Sequence, residues 1–305
     1  MRHWYGGAVG LIGFDGSLNT GLTLRTVRVL RGVAEVRVGA TLLHDSDPAS
    51  EEKETELKAE AMLDAIGRPD TPPPSTSAPP LLANNRCKSV LLIDHEDSFV
   101  HTLANYLRQT GAEVTTIRSG PPLLQHLRNT SPPPDLVVLS PGPGSPSDFK
   151  LSDTIDVLIN RCIPIFGVCL GLQGIVEHFG GHLGVLDYPM HGKPSIIRRH
   201  FRDEAAEGRL DTDVLRDLPG EFQVARYHSL HGKKGPSFPA ELIITAESND
   251  GVVMALQHRK WPIAAVQFHP ESILTLPKHG MKILTNALEQ LTSDGYLEKE
   301  IKDSI

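Results

Sequence analysis

The chain of 305 residues is 39% hydrophobic and 22% charged, a composition typical of a folded globular protein with room for one large domain or two ordinary ones. Its formal net charge of −7, with no basic block, argues against a nucleic-acid partner, and no apolar run in the sequence is long enough for a membrane span. Three scattered cysteines without a CxxC pair favour a reducing compartment, so we expect a cytoplasmic protein.

The first part of the chain predicts a few strands and a helix. Alternating apolar and polar residues on both sides of Arg31-Gly32 predict a β-hairpin. Apolar residues at helical spacing within residues 47–67 predict a helix that ends at Gly67. Two or three strands and one helix form a small core, so we interpret residues 1–67 as the C-terminal fragment of a larger domain.

A proline-rich stretch follows this fragment. Residues 68–80 read "RPDTPPPSTSAPP", with six prolines among thirteen positions. Such a sequence forms neither a helix nor a strand ladder, so we predict a semi-extended linker over residues 68–88.

Strands and helices alternate after the linker. Helices are predicted over residues 98–109, 170–179 and 279–291, and apolar strands precede them, among them "SVLLID", "DLVVLS" and "PIFGV". This alternation predicts an α/β fold with an open, mostly parallel sheet flanked by helices, over residues 89–295, followed by a tail over 296–305. In such sheets, ligands bind at the carboxyl ends of the strands.

The first loop at such a strand end is "SPGPGSP", residues 140–146. Glycine permits close approach of the backbone to a ligand, and proline stiffens the loop. The stretch matches neither GxGxxG nor a Walker loop, so it does not indicate a phosphate site. Taken alone, it favours a simple strand-ending turn.

The second loop holds a cysteine. In "IFGVCLGLQG", Cys169 lies between Gly167 and Gly171, after a strand and before a helix, which is the layout of a nucleophile elbow with cysteine in place of serine. The helix N-terminus favours a thiolate, and its free N–H groups can receive an oxyanion. Gln173, one turn later, can face the same site. The alternative is a small buried side chain in a tight turn, which is how we interpret Cys162, a residue without flanking glycines.

The third loop is "VQFHPES", which contains His269 and Glu271. A cysteine nucleophile needs a base, and the base needs an acceptor on its far nitrogen. On an extended segment, residues at i and i+2 project to the same side, so the carboxylate can hold the imidazole in one tautomer. His101, His178 and His228 have no carboxylate two residues later in the sequence.

In this order and spacing, "SPGPGSP", "GVCLG" and "QFHPES" resemble the class-I (triad) glutamine amidotransferase family, over about Ser89 to Leu291. The resemblance implies a flavodoxin-like α/β fold and a Cys169–His269–Glu271 triad that forms a glutamyl thioester from glutamine and releases ammonia, without a cofactor. It also implies a set of substrate-binding residues: Gly142, Pro143, Gly144, Leu170, Gln173, Ser229 and Leu230.

The front segment carries a second resemblance. "YGGAVGLIGFDGSLNTGLTLRT" and "VGATLLHDSDPASEEKETELKA" resemble the last part of the chorismate-using domain of anthranilate synthases. This implies a remnant of a chorismate site at Tyr5, Arg25, Gly39 and Ala40, with Glu54 as one ligand of the Mg²⁺ that a complete synthase domain needs. Thr41 departs from the glycine of many relatives, which affects a backbone contact only. From the residues alone, Arg25 can equally be an exposed hairpin residue and Glu54 one of several carboxylates on a helix face.

The two resemblances together imply the amidotransferase part of a fused anthranilate synthase, which supplies ammonia from glutamine for tryptophan biosynthesis. The expected partner is a complete chorismate-binding synthase domain, upstream in the same chain or in trans, with neither nucleic acid nor membrane. Two alternatives stay open: the amidotransferase of an aminodeoxychorismate or aminodeoxyisochorismate synthase, and a docking fragment without catalysis.

Overall fold

The computed structural model describes residues 4–13, 18–24, 26–40, 44, 46–67, 87–200 and 213–293. The chain divides into two compact units, Met1–Pro80 and Leu81–Ile305. The division falls inside the predicted linker, of which residues 68–86 lie outside the described ranges, as does the predicted tail over 296–305. Within those ranges, none of the helices combines the length and apolar character that crossing a bilayer requires.

The first unit contains two antiparallel hairpins and one helix: β1 (Ala8–Ile12) with β2 (Leu18–Leu22), β3 (Val27–Leu30) with β4 (Val33–Val36), and α1 (Pro48–Gly67). Arg31 and Gly32 form the β3–β4 turn, both with positive φ (52° and 79°), as a tight two-residue hairpin turn requires. The hairpin and the helix lie where the sequence pattern predicts them, while four strands replace the two or three expected.

Apolar side chains of this first unit face solvent. None of the described side chains between residues 4 and 67 is buried. Five of the most exposed, each between 66% and 76% exposed, come from its strands: Val9, Ile12, Leu18, Leu22 and Val33. The described residues of this unit therefore enclose no hydrophobic core.

The second unit alternates strands and helices: β5 (Ser89–Asp94), α2 (Val100–Gln109), β6 (Glu113–Arg118), α3 (Pro121–Asn129), β7 (Leu136–Leu139), α4 (Leu151–Asn160), β8 (Ile165–Val168), α5 (Leu170–His178), β9 (Leu183–Arg199), β10 (Glu221–Gly232), β11 (Leu242–Ser248), β12 (Val253–His258), β13 (Ile263–Val266) and α6 (Met281–Leu291). Single turns of 3₁₀ helix (Pro146–Phe149) and π helix (Leu276–Gly280) precede α4 and α6.

The nine strands form one mixed sheet in the order β10-β9-β11-β12-β13-β8-β7-β5-β6. The five strands from β13 to β6 are parallel, and the others are antiparallel. Two buried apolar clusters cover the sheet, one containing side chains of α2 and α6 and the other side chains of α3, α4 and α5. The predicted α/β fold is confirmed. Four of its five parallel strands, β5, β7, β8 and β13, are almost entirely buried, whereas the edge strand β6 is partly exposed.

Some boundaries differ from the sequence-based expectation. Helix α2 begins at Val100, two residues late, because the Asp97 carboxylate accepts the N–H of Phe99 (2.7 Å) and holds the preceding residues in a turn. Helix α6 begins at Met281, after the π-helical turn. The sequence analysis did not predict α3, α4 or the long strand β9.

Candidate active site

The loops that the sequence singled out meet at one edge of the sheet. β13, β8, β7 and β5 are parallel neighbours, so their carboxyl ends lie side by side. Cys169 follows β8 directly, His269 comes three residues after β13, and the loop over 140–146 follows β7. Parallel topology therefore brings together residues that are far apart in the chain.

Cys169 occupies a strained turn between β8 and α5. Its φ of 54° and ψ of −98° are rare for a residue with a side chain, and its N–H donates to the Val266 carbonyl (2.8 Å). The flanking glycines are explained by close approach: a Cβ on Gly171 would lie 2.7 Å from the Leu139 carbonyl oxygen, and one on Gly167 would lie 2.8 Å from the carbonyl carbon of Gly171. Larger residues would push α5 off the sheet.

His269 and Glu271 form a buried pair. The imidazole Nδ1 and the carboxylate Oε1 are 2.7 Å apart, and both residues are at most 2% exposed. The segment is not extended as predicted, because the chain turns after His269, where the Ser272 N–H donates to its carbonyl (3.2 Å). The expected pairing of the two side chains is nevertheless present.

The environment favours a charged imidazole. Burial lowers the pKa of His269, but the charge and hydrogen bond of Glu271 and the nearby Cys169 thiol outweigh it and raise this pKa well above the ordinary value. Nε2 of His269 is buried and has no hydrogen-bond partner among the described residues. The imidazole is therefore held through Nδ1 alone among the hydrogen bonds of the described residues.

Two aromatic rings enclose the imidazole. Its centroid lies 4.9 Å from that of Tyr227 and 5.8 Å from that of Phe99, and these two rings lie 5.4 Å apart. The Tyr227 hydroxyl lies 3.3 Å from that of Ser272. Both rings meet the imidazole in T-shaped contacts, and this packing excludes water from the imidazole and restricts its rotation.

The glycine-rich loop packs tightly against the start of α5. A Cβ on Gly142 would lie 2.6 Å from a methyl carbon of Leu170 and 2.7 Å from the His95 carbonyl oxygen. Pro143 and Gly144 are exposed, and Gly144 has a φ of 70°, which favours glycine. The structure thus brings Gly142 and Leu170, two predicted substrate-binding residues, into contact range.

Gln173 and Leu230 are also brought together. The Gln173 side-chain amide donates from Nε2 to the Leu230 carbonyl (2.9 Å) and lies 3.4 Å from Oε1 of Gln267. Nε2 of Gln267 in turn lies 3.5 Å from the Cys169 sulfur. Ser229 sits at a register irregularity of β10, where His228 pairs with Met190 and Leu230 with Val185, so its backbone is free of regular pairing.

The predicted chorismate-site remnant lies in the first unit. Tyr5 packs against Gly39, since a Cβ there would lie 3.2 Å from the tyrosine ring. Ala40 is described and half-buried, whereas Arg25 and Thr41 lie outside the described residues. The Gly39 carbonyl accepts from Lys58 (3.4 Å). Two of the predicted residues are therefore neighbours.

The described residues do not fit a Mg²⁺ site. Glu54 is 55% exposed and pairs with Lys58 one helical turn later (2.9 Å). Within the ranges that the structure describes, no group of three or more histidine, cysteine, aspartate or glutamate side chains is gathered as ligands. Mg²⁺ needs several oxygen ligands in octahedral geometry, so one paired carboxylate does not hold it.

Sequence analysis missed several residues of the site. Gln267, Tyr227 and Phe99 touch the predicted triad, yet only Gln267 stands inside a quoted motif. No signal in the sequence could place Phe99, since it reaches His269 only through sheet topology. Cys162 lies in a turn, with a φ of 53°, but its side chain is exposed, so the expectation of a small buried side chain at this position is wrong.

Comparison with known proteins shows the fold and the family of this chain. In fold, the structure is similar to a glutamine amidotransferase from Thermotoga maritima, with a TM-score of 0.53 at 14% identity over 69% of this chain and 100% of that chain. The class-I glutamine amidotransferase family matches residues 91–291, and the chorismate-binding enzyme family matches residues 1–64. The chain belongs to the class-I glutamine amidotransferase family.

Two similar proteins of known name are an anthranilate synthase and an anthranilate synthase component 2. The chain is 51% identical to an anthranilate synthase of Azospirillum brasilense over 96% of this chain and 38% of that protein. It is 42% identical to an anthranilate synthase component 2 of the same organism, over 65% of this chain and 94% of that protein. The chain therefore spans well under half of the first relative and nearly all of the second.

Proposed function

We propose that the chain hydrolyses glutamine through Cys169, His269 and Glu271. The observation that carries this proposal is the buried His269–Glu271 pair at the same sheet edge as an elbow cysteine. The pair holds one imidazole nitrogen and leaves Nε2, the atom that a thiol would need as its base.

The chemistry runs in two halves. The Cys169 thiolate attacks the side-chain carbonyl carbon of glutamine, and the first N–H groups of α5, that of Leu170 above all, receive the oxyanion. His269 then protonates the departing nitrogen, so the C–N bond breaks and ammonia leaves a glutamyl thioester. Water attacks the thioester, its proton goes to His269, and the C–S bond breaks to release glutamate and restore the thiolate beside the protonated His269.

The substrate would bind between the glycine-rich loop and β10. Gly142 allows the backbone close to Leu170, and the exposed Pro143 and Gly144 flank the same approach. Ser229 and Leu230 supply backbone groups at an irregularity of β10, with Gln173 fixed beside them. These contacts support the binding of the amino-acid end of glutamine.

We further propose that the ammonia serves the conversion of chorismate to anthranilate, for tryptophan biosynthesis. The named relatives and the match of residues 1–64 to chorismate-binding enzymes support this acceptor. A complete chorismate-binding domain, in cis or in trans, would be the partner, and Mg²⁺ would belong to that domain. A cytoplasmic location is part of the same proposal.

The first experiment measures glutamate release from glutamine by the purified chain, with Cys169→Ala as control. We expect release by the parent and a loss of more than about a thousandfold in the variant, since removal of a nucleophile leaves only binding effects. Release at the parent rate by Cys169→Ala would contradict the assignment of the nucleophile.

A second experiment tests the acceptor. The chain is combined with a separately produced chorismate-binding domain, chorismate, Mg²⁺ and glutamine, and the product is identified by mass spectrometry. We expect anthranilate. Aminodeoxychorismate or aminodeoxyisochorismate would instead favour the alternative synthases, and the absence of any glutamine-dependent product would favour a docking fragment.

A further inference from the structure

An arginine is buried beside the proposed glutamine site. Arg226 is 1% exposed, and its Nη1 donates to both oxygens of Asp250 (3.0 and 2.9 Å). Nη1 also lies 3.4 Å from the Ser195 hydroxyl, while Nη2 is buried without a partner among the described residues. The Asp250 side chain is 51% exposed, so this ion pair links the surface to the interior.

The Nε atom of Arg226 holds the ring of a neighbouring histidine, His228, in one tautomer. Nε of Arg226 donates to Nε2 of His228 (3.0 Å), so that nitrogen is an acceptor and the ring proton lies on Nδ1. Nδ1 then donates to the Leu230 carbonyl (2.9 Å). Burial and the charge of Arg226 lower the pKa of His228 to about 3, so the ring is neutral in the working pH range.

The Leu230 carbonyl receives two hydrogen bonds. One comes from His228 and the other from Nε2 of Gln173 (2.9 Å). Both oxygen lone pairs are therefore used, and the amide of Gln173 is held in one orientation. Gln267 continues the network from Gln173 to the sulfur of Cys169.

We propose that Arg226 and His228 are positioning residues, which set the orientation of the Leu230 carbonyl and the Gln173 amide and thereby the affinity for glutamine. The inference rests on the proposed glutaminase function. It extends that function to a hydrogen-bonded network of Asp250, Arg226, His228, Leu230 and Gln173, which reaches the surface at Asp250. Neither residue touches the reacting atoms. Their loss therefore weakens glutamine binding more than the chemical step.

The test is the kinetics of glutamine hydrolysis by His228→Phe in the full chain. Phenylalanine keeps an aromatic ring, somewhat larger than imidazole, but removes both hydrogen bonds. We expect the KM for glutamine to rise about tenfold while kcat changes less than about threefold. The matched control is His258→Phe. His258 is equally buried and accepts the N–H groups of Lys260 and Trp261, but it has no contact with this network.

A second variant, with a smaller change, tests the same network in case His228→Phe does not fold. Asp250→Asn keeps the size of the exposed partner and removes its charge, and we expect KM to rise about two- to threefold with kcat unchanged. An unchanged KM in Asp250→Asn and in a folded His228→Phe, or an equal rise in His258→Phe, would overturn the inference. A wild-type chain without glutamine hydrolysis would instead contradict the proposed function, and this inference with it.

Discussion

The backbone N–H of Cys169 donates to the carbonyl of Val266 at 2.8 Å, which ties the proposed nucleophile to the strand that leads to His269. The two residues are separated by almost a hundred positions in the chain, yet β8 and β13 are adjacent parallel strands. The pairing of β8 with β13 therefore fixes how far the backbone of Cys169 lies from the segment that carries His269.

Substitutions of His269 and Glu271 are expected to lower kcat by different amounts. His269→Asn removes the base, so we expect a loss in kcat of about a thousandfold or more, whereas Glu271→Gln removes only the orienting charge and should cost about ten- to a hundredfold. Glutamate release at saturating glutamine measures both. Near-parental activity in His269→Asn would contradict the role of this residue.

Gly142 is expected to tolerate no side chain. A Cβ would lie 2.7 Å from a backbone oxygen of His95, which cannot move aside as a flexible side chain can. We expect Gly142→Ala to lower the free energy of unfolding by about 1–3 kcal/mol and to raise the KM for glutamine. The control is Gly67→Ala, where a Cβ would meet nothing within 4 Å. Equal urea midpoints and KM values for the two variants would contradict the predicted clash.

The stability of the chain should depend on His95 at acid pH. Burial lowers the pKa of this histidine to about 4, although the Ser140 backbone bond and Asp94 oppose the shift. The unfolded chain, with the ordinary value near 6.5, therefore binds a proton more tightly, and the stability falls as pH drops from about 6.5 to 4. This linkage amounts to roughly 3 kcal/mol.

His95→Asn removes that titration and keeps a donor for the Ser140 carbonyl, which lies 3.2 Å from Nδ1. We expect the variant to lose about 2–3 kcal/mol less than the parent between pH 7.5 and pH 4, by urea unfolding. The exposed His101, replaced in the same way, is the control. Parallel pH curves for parent and His95→Asn would show that His95 does not titrate as described.

The second unit should work without the first. Both buried clusters consist of residues from Val90 to Leu291, and no described side chain of residues 4–67 is buried. We expect residues 87–305 to unfold cooperatively and to release glutamate within about twofold of the parent rate, because both buried clusters lie wholly within this range. An inactive or aggregated product would contradict this expectation.

Several features of the site could be predicted because they are local. The glycines around Cys169 and the i, i+2 spacing of His269 and Glu271 are visible in short stretches of sequence. The pairing of these two side chains was predicted, although the segment that carries them is a turn and not extended. Helix α1 and the Arg31-Gly32 hairpin were likewise predicted from local patterns.

Other features could not be predicted because they depend on distant partners. Phe99 reaches His269 only because β5 and β13 end at the same edge of the sheet. The link from Asp250 to Gln173 runs through Arg226, His228 and Leu230, and no spacing in the sequence shows it. The long strand β9 contains two prolines and two glycines, which disfavour a strand, so its sequence pattern did not predict it.

The sequence by itself determined the class of fold and the chemical types at the site, because apolar periodicity, glycine turns and residue spacing act over a few positions. The tertiary structure alone decided which strand ends are neighbours, how far the imidazole is desolvated, and which polar groups hold the amide of Gln173. These depend on parallel pairing and packing between segments that lie far apart in the chain. Local sequence carries no energy term that specifies such contacts one by one.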